Sequence, residues 1–167
     1  MIVHLYCTIT DENWKYPKMG FIFQQPTLLK NLNILNNIIL PSMRDQRSSN
    51  GQVVEKARVL MKQLQRVGIC RALMSQPKII FGDEPTGALN SKAADEIMRM
   101  LAEIHRRGTT ILLVTHDAKV AARTERVLFM LDGQIAGEYL AEAYDEGRTD
   151  LKTHEERLTS WLTQMNF

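Results

Sequence analysis

Apolar positions change period along this chain, and each change marks an element. The stretch Lys78-Ile79-Ile80-Phe81-Gly82-Asp83-Glu84-Pro85-Thr86-Gly87-Ala88-Leu89-Asn90 opens with an apolar run too short for a core helix, closed by two acids and then Pro and Gly. This pattern predicts a buried parallel strand that delivers Asp83 and Glu84 to the carboxyl edge of a sheet, where α/β folds bind ligands. Ser91 to Arg107 carries Ala94, Ile97, Met98, Leu101 and Ile104 on one helical face, with Asp95 and Glu96 near its start and Arg106 and Arg107 before Gly108. Both ends agree with the helix dipole and a glycine cap. Thr109 to Thr115 predicts a second buried strand. Strand 78–83, helix 91–107 and strand 109–115 then form a right-handed parallel unit, and His116 emerges on the same edge as Asp83 and Glu84.

The flanking regions are punctuated less sharply. Phe21 to Phe23 predicts a short strand, and Leu28, Leu32, Leu35, Ile38 and Ile39 predict a helix stopped by Pro41. Residues 42–52, rich in Ser, Arg, Asn and Gln, predict a solvated connector, and Val53 to Leu73 a helix closed before Pro77. Arg126 to Leu131 and Gln134 to Tyr139 flank Asp132-Gly133, a strong hairpin signal. Leu151, Leu158, Trp161, Leu162 and Met165 recur at helical spacing among charges of both signs, which predicts a stripe packing back on the domain. Residues 1–18, including Cys7, Trp14 and Tyr16, fit no element.

Two adjacent carboxylates after a buried strand suit nucleoside-triphosphate chemistry. Asp83 would hold Mg²⁺, through a water, and Glu84 would sit beside the attacking water as a general base or orienting group. The plainer alternative is that the two acids merely open a loop before Pro85.

Four stretches occur in a telling order: Gly20-Phe21-Ile22-Phe23-Gln24-Gln25, then Gln65-Arg66-Val67-Gly68-Ile69-Cys70-Arg71-Ala72-Leu73, then the Asp83 block, then Val114-Thr115-His116-Asp117. Together they resemble the nucleotide-binding domain of ABC transporters. The wording Asp-Glu-Pro-Thr-Gly-Ala-Leu is similar to that of macrolide exporters, lipoprotein-releasing complexes and antimicrobial-peptide transporters. The resemblance implies a P-loop NTPase-like three-layer α/β fold with a mainly parallel sheet. It implies ATP and Mg²⁺ as cofactors, with Glu84 and His116 catalytic and Gln24, Asp83 and Asn90 at the nucleotide. Asp83 and Gln24 would hold the metal, and His116 would fix the attacking water against the γ-phosphate. Asn90 stands where the family usually has an aspartate that touches the opposite subunit; it is also suited to cap the following helix. The implied partners are a separate transmembrane permease subunit and a second ATPase chain, as a homo- or heterodimer, which would place this chain in the cytoplasm at the inner face of the membrane. On this basis residues 19–140 form a partial ATPase domain, with 26–74 a helical subdomain remnant, 1–18 unassigned and 141–167 a helical tail.

Two family motifs are missing from these 167 residues. The phosphate cradle G-x-x-x-x-G-K-[ST] uses glycines to expose backbone N–H groups and a lysine to reach the terminal phosphates. None of the nine glycines here is followed by lysine. In the register of the Leu-Ser-Gly-Gly-Gln signature the chain has Val59-Leu60-Met61-Lys62-Gln63-Leu64, and Ser49-Asn50-Gly51-Gln52 lies too far upstream of Gln65 to replace it. The fold is therefore expected to lack its first βα unit and part of the helical subdomain, leaving an exposed sheet edge.

Composition narrows the classes further. The chain suffices for one domain at the usual ~150 residues, and its net charge of +2 comes from scattered basic residues, which argues against nucleic-acid or lipid partners. Cys7 and Cys70 share no metal-ligand spacing and are expected as reduced core thiols of a cytosolic protein. No apolar stretch approaches the ~18 residues that span a bilayer. Two functions remain: an ATP-hydrolysing transporter subunit, or a degenerate relative acting at most as an interaction module.

Overall fold

In the computed structural model, residues 2–6, 19–25, 28–44, 50–64, 66–87, 89–141 and 151–165 are described. Their strands are β1 (Ile2–Tyr6), β2 (Met19–Phe23), β3 (Ile79–Asp83), β4 (Thr110–Thr115), β5 (Arg126–Leu131) and β6 (Gln134–Leu140), joined in one sheet in the order β2-β3-β4-β1-β5-β6. The helices are α1 (Ile34–Ile39), α2 (Asn50–Leu64), α3 (Val67–Leu73), α4 (Ser91–Arg106), α5 (Ala118–Ala121) and α6 (Leu151–Gln164), with a 3₁₀ turn over Leu40–Arg44. The chain is an α/β protein, parallel in the half of the sheet that carries the predicted site.

Strands β2, β3 and β4 run parallel and in register, so that Phe21, Phe81 and Leu112 lie side by side and Phe23, Asp83 and Val114 end together. Alternation sends Ile22, Ile80, Ile111 and Leu113 to one face, where Ile97, Met98, Leu101 and Ile104 of α4 and Ile69 and Ala72 of α3 complete the main core. The apolar stripe of α4 predicted this contact. Gly20 permits close approach of α3, since a Cβ there would lie 3.0 Å from the Ala72 carbonyl oxygen. On the opposite face of β2, Met19, Phe21 and Phe23 are about half exposed, and the Phe21 ring stacks on Phe81 with centroids 5.4 Å apart.

Residues 2–6 depart from the sequence-based expectation. They form β1, antiparallel to both β4 and β5, with Ile2 opposite Thr115 and Phe129. The interior of the sheet is therefore continuous, and its edges fall on β2 and β6. A five-residue strand whose partners lie more than a hundred positions away has no local signature.

The helical region also differs in detail. Leu28 and Leu32 precede α1 instead of joining it, because Asn33 caps α1 by accepting from the Asn36 N–H and the buried Asn37 amide binds backbone of Leu29, Leu32 and Asn33. Pro41 ends the α-helical turn as expected, yet the chain continues as the 3₁₀ turn. The helix predicted from Val53 to Leu73 is two helices, α2 and α3, with Arg66 extended at φ −129° between them. Residues 50–52 of the predicted connector open α2, and 45–49 lie outside the described residues. Ile38, Ile39, Ala57, Cys70 and Met74 form a second core here, and the Met74 carbonyl accepts from Lys56 Nζ at 2.9 Å and Ser42 Oγ at 3.3 Å. Cys70 is fully buried in this core, and burial pushes its thiol up from its ordinary range. Cys7 lies outside the described residues.

The hairpin forms as predicted. Asp132 and Gly133 both take positive φ, 50° and 78°, matching the twist of β5 and β6. Helix α6 lays Leu158 and Leu162 on Ala121, Ala122, Val127 and Phe129, and Trp161 meets Tyr139 with ring centroids 5.6 Å apart. No described helix is long and apolar enough to cross a membrane.

Candidate functional site

Parallel strands in register end on the same edge, and three of them end on polar residues. Gln24 follows β2, Asp83 closes β3 with Glu84 next to it, and Thr115 closes β4 with His116 next to it. The edge thus gathers four of the five residues singled out from sequence.

Glu84 is the centre of the group. Its backbone adopts φ +42°, a left-handed conformation uncommon for a side chain of this size, fixed by a 2.9 Å bond from its N–H to the Val114 carbonyl and a 3.1 Å bond to its carbonyl from the Gly87 N–H. Such strain persists only where surroundings enforce it. Its carboxylate turns toward the end of β4 and receives three donors. Thr115 Oγ1 donates to Oε2 at 2.9 Å, and the His116 N–H donates to Oε1 at 2.9 Å. His116 Nδ1 lies 2.5 Å from the same Oε1. A carboxylate only accepts, so Nδ1 carries the ring proton and Nε2 of the neutral ring is an acceptor. The Glu84 side chain is 17% exposed and that of His116 79%, so the acid is set back while the imidazole stands in solvent.

Two glycines shape the edge. A Cβ on Gly82 would come within 2.6 Å of Leu113 Cδ2, so the bare backbone lets β4 pack against β3. A Cβ on Gly87 would lie 2.9 Å from Gln24 Nε2 and 3.4 Å from Glu84 Cβ, which places the Gln24 amide against the turn that leaves Glu84. Asp83, the last residue of β3, is exposed beside them.

Asn90 is used differently. Its side chain accepts from the Ala93 N–H at 2.9 Å and caps α4. We expect Asn90→Ala to lower stability by about 1 kcal/mol, as measured by urea unfolding; an unchanged midpoint would show that α4 does not need this cap. Thr115 was not singled out in the sequence beyond its place before His116, and the contact that matters reaches across 31 residues. Asp117, also unassigned, accepts from the Lys119 N–H at 2.8 Å and caps α5.

No family model matches the sequence. The chain is 39% identical over 134 residues to a Bacillus subtilis protein named uncharacterized ABC transporter ATP-binding protein YvrO, covering 70% of this chain and 58% of that one. It is 36% identical over 145 residues to the lipoprotein-releasing system ATP-binding protein LolD of Syntrophotalea carbinolica, covering 75% and 63%. In three dimensions it matches the ATP-binding cassette MJ0796, solved as a dimer in a post-hydrolysis state bound to ADP and Pi, with a TM-score of 0.69 at 33% identity over 77% of this chain and 65% of that one. Over about 70% of its length this chain is similar to ABC transporter ATP-binding proteins. It spans less than two thirds of each of these relatives.

The chemistry of the edge suits one half of an ABC nucleotide site. The Asp83 carboxylate and the Gln24 amide oxygen are hard donors of the kind Mg²⁺ takes. Among the described residues no group of three or more His, Cys, Asp or Glu could hold a metal by itself, so a cation here would depend on water and phosphate oxygens for most of its ligands. The phosphate half does not fit, because no G-x-x-x-x-G-K-[ST] cradle occurs in these 167 residues.

Proposed function

We propose that this chain acts as an ATP-binding subunit of an ABC transporter, working with separate membrane subunits in export. The observation that carries the reading is the convergence of Gln24, Asp83, Glu84 and His116 at the ends of three adjacent parallel strands, in a chain whose relatives are named for ATP binding. Bound Mg²⁺ would supply charge neutralisation at the terminal phosphates. Asp83, through a water, and Gln24, through its amide oxygen, would hold that cation. Glu84 orients the attacking water or takes its proton. His116 reaches a phosphate oxygen by turning its Nδ1–H away from Glu84, or through Nε2 when the ring is doubly protonated. Asn90 faces the neighbouring ATPase chain only at the cost of its cap on α4. The chain sits on the cytoplasmic side, peripheral to the membrane through the permease, and pairs with a second ATPase chain as the MJ0796 cassette does with its copy.

A second reading is favoured by the missing cradle: an ABC relative without autonomous ATPase activity, acting as an interaction module or completing a site with an intact cassette. Charge-assisted hydrogen bonds to phosphate contribute roughly 1.5–3 kcal/mol each, and most of them would come from the cradle. Calorimetric titration of the purified chain with Mg·ATP is therefore expected to give a Kd in the millimolar range or weaker, and micromolar binding would overturn the second reading.

A further inference from the structure

We infer that Thr115 is a positioning residue that clamps Glu84 in its set-back orientation, with the His116 ring as the removable half of the same clamp. The inference rests on the proposed role of Glu84 beside the attacking water and extends it to a residue that role does not include.

Thr115 is 1% exposed, held at the end of β4 between β3 and β1. Its hydroxyl oxygen accepts the Asp117 N–H at 3.1 Å and donates to Glu84 Oε2, 2.9 Å away. Bonded as acceptor to its own chain and buried from solvent, the hydroxyl has Glu84 as the acceptor for its one proton. With Oε2 held by Thr115, Oε1 faces the His116 N–H and ring, and a turn of the carboxylate about its last torsion would break the Thr115 bond.

The two partners of the carboxylate differ in mobility. Thr115 is enclosed, whereas the His116 side chain is 79% exposed and can swing out without opening the core. In the arrangement seen here both donors on Oε1 belong to His116, so a water can approach that oxygen only after the ring leaves. Thr115 keeps the orientation of the acid during that exchange. The division predicts that loss of the hydroxyl disorders the acid and, through it, the ring, while loss of the ring leaves the acid in place.

The test is the protonation pattern of the His116 ring, read by ¹⁵N NMR of histidine-labelled full chain, with the resonance assigned against His116→Asn because the sequence holds four histidines. In the native chain and in Thr115→Ser the neutral ring is expected as the Nδ1–H form. In Thr115→Val, similar in shape but without the hydroxyl, the Nδ1–H to Nε2–H ratio is expected to fall at least about threefold, because the ring loses its fixed acceptor. An unchanged ratio in Thr115→Val would overturn the clamp, as would loss of the pattern in Thr115→Ser. Thr115→Ala, which leaves space in place of the methyl, is read in the same way should the valine variant unfold. ATP turnover is scored separately, so a chain that never hydrolyses ATP would refute the proposed function while the ring readout still decides the clamp.

Discussion

Glu84→Gln is expected to lower ATP turnover by about 10²–10⁴-fold, the usual span for losing a positioned general base. The measurement is steady-state phosphate release, in whichever assembly supports turnover, this chain alone or paired with an intact cassette. The size of the effect follows from the partners of the acid. All three groups that meet the carboxylate are donors: the Thr115 hydroxyl, the His116 N–H and the His116 Nδ1–H. An amide in the same place keeps its oxygen on the two His116 donors only by turning its NH₂ toward the Thr115 hydroxyl, which must then accept instead of donate, and it has no charge with which to attract a water proton. Nucleotide binding should persist, because Glu84 is not among the groups proposed to hold the cation. A variant that keeps most of its turnover would remove Glu84 from the chemical step and return it to the role of a loop-opening acid.

Leu113→Ala is expected to cost about 2–5 kcal/mol of folding stability, a large part of the 5–15 kcal/mol typical of a domain. Leu113 is fully buried in β4, faces α4 and Val120 within the main core, and fills the space that Gly82 leaves open. The cavity left by alanine would lie beneath the edge that carries Glu84 and Thr115, so destabilisation and loss of site order should appear together. Urea unfolding gives the first and the His116 ring resonance the second. A midpoint equal to that of the native chain would mean that β4 is not packed as described.

The parts of this structure that were legible in the sequence are those whose cause is local. The run Ile79-Ile80-Phe81 with acids behind it, the apolar stripe of α4 between Asn90 and Gly108, and Asp132-Gly133 between β5 and β6 each carry their own start and stop signals. From the parallel order of β3 and β4 alone, Glu84 and His116 had to share an edge. What escaped was set by distant contacts. β1 is recruited by strands that lie far along the chain, and it brings an antiparallel centre to a sheet expected to be mainly parallel. The break at Arg66 has no Pro or Gly in its immediate company beyond Gly68, which sits inside α3, so periodicity ran the two helices together. The clamp on Glu84 depends on a left-handed backbone and a hydroxyl on another strand, neither of which leaves a mark in residue order.

The missing phosphate cradle gives the site its particular character. The groups proposed to hold the cation and to orient the water stand on one edge, while the groups that would contribute most to phosphate affinity are not in these 167 residues. This chain is expected to bind nucleotide weakly and at that edge. Titration of ¹⁵N-labelled chain with Mg·ATP into the millimolar range, followed through backbone amide shifts, tests this most directly. Perturbations are expected to concentrate at Gln24, Asp83, Glu84, Thr115 and His116 and to be reduced in Asp83→Asn; shifts centred elsewhere, or none at millimolar nucleotide, would mean that this edge is not a nucleotide site.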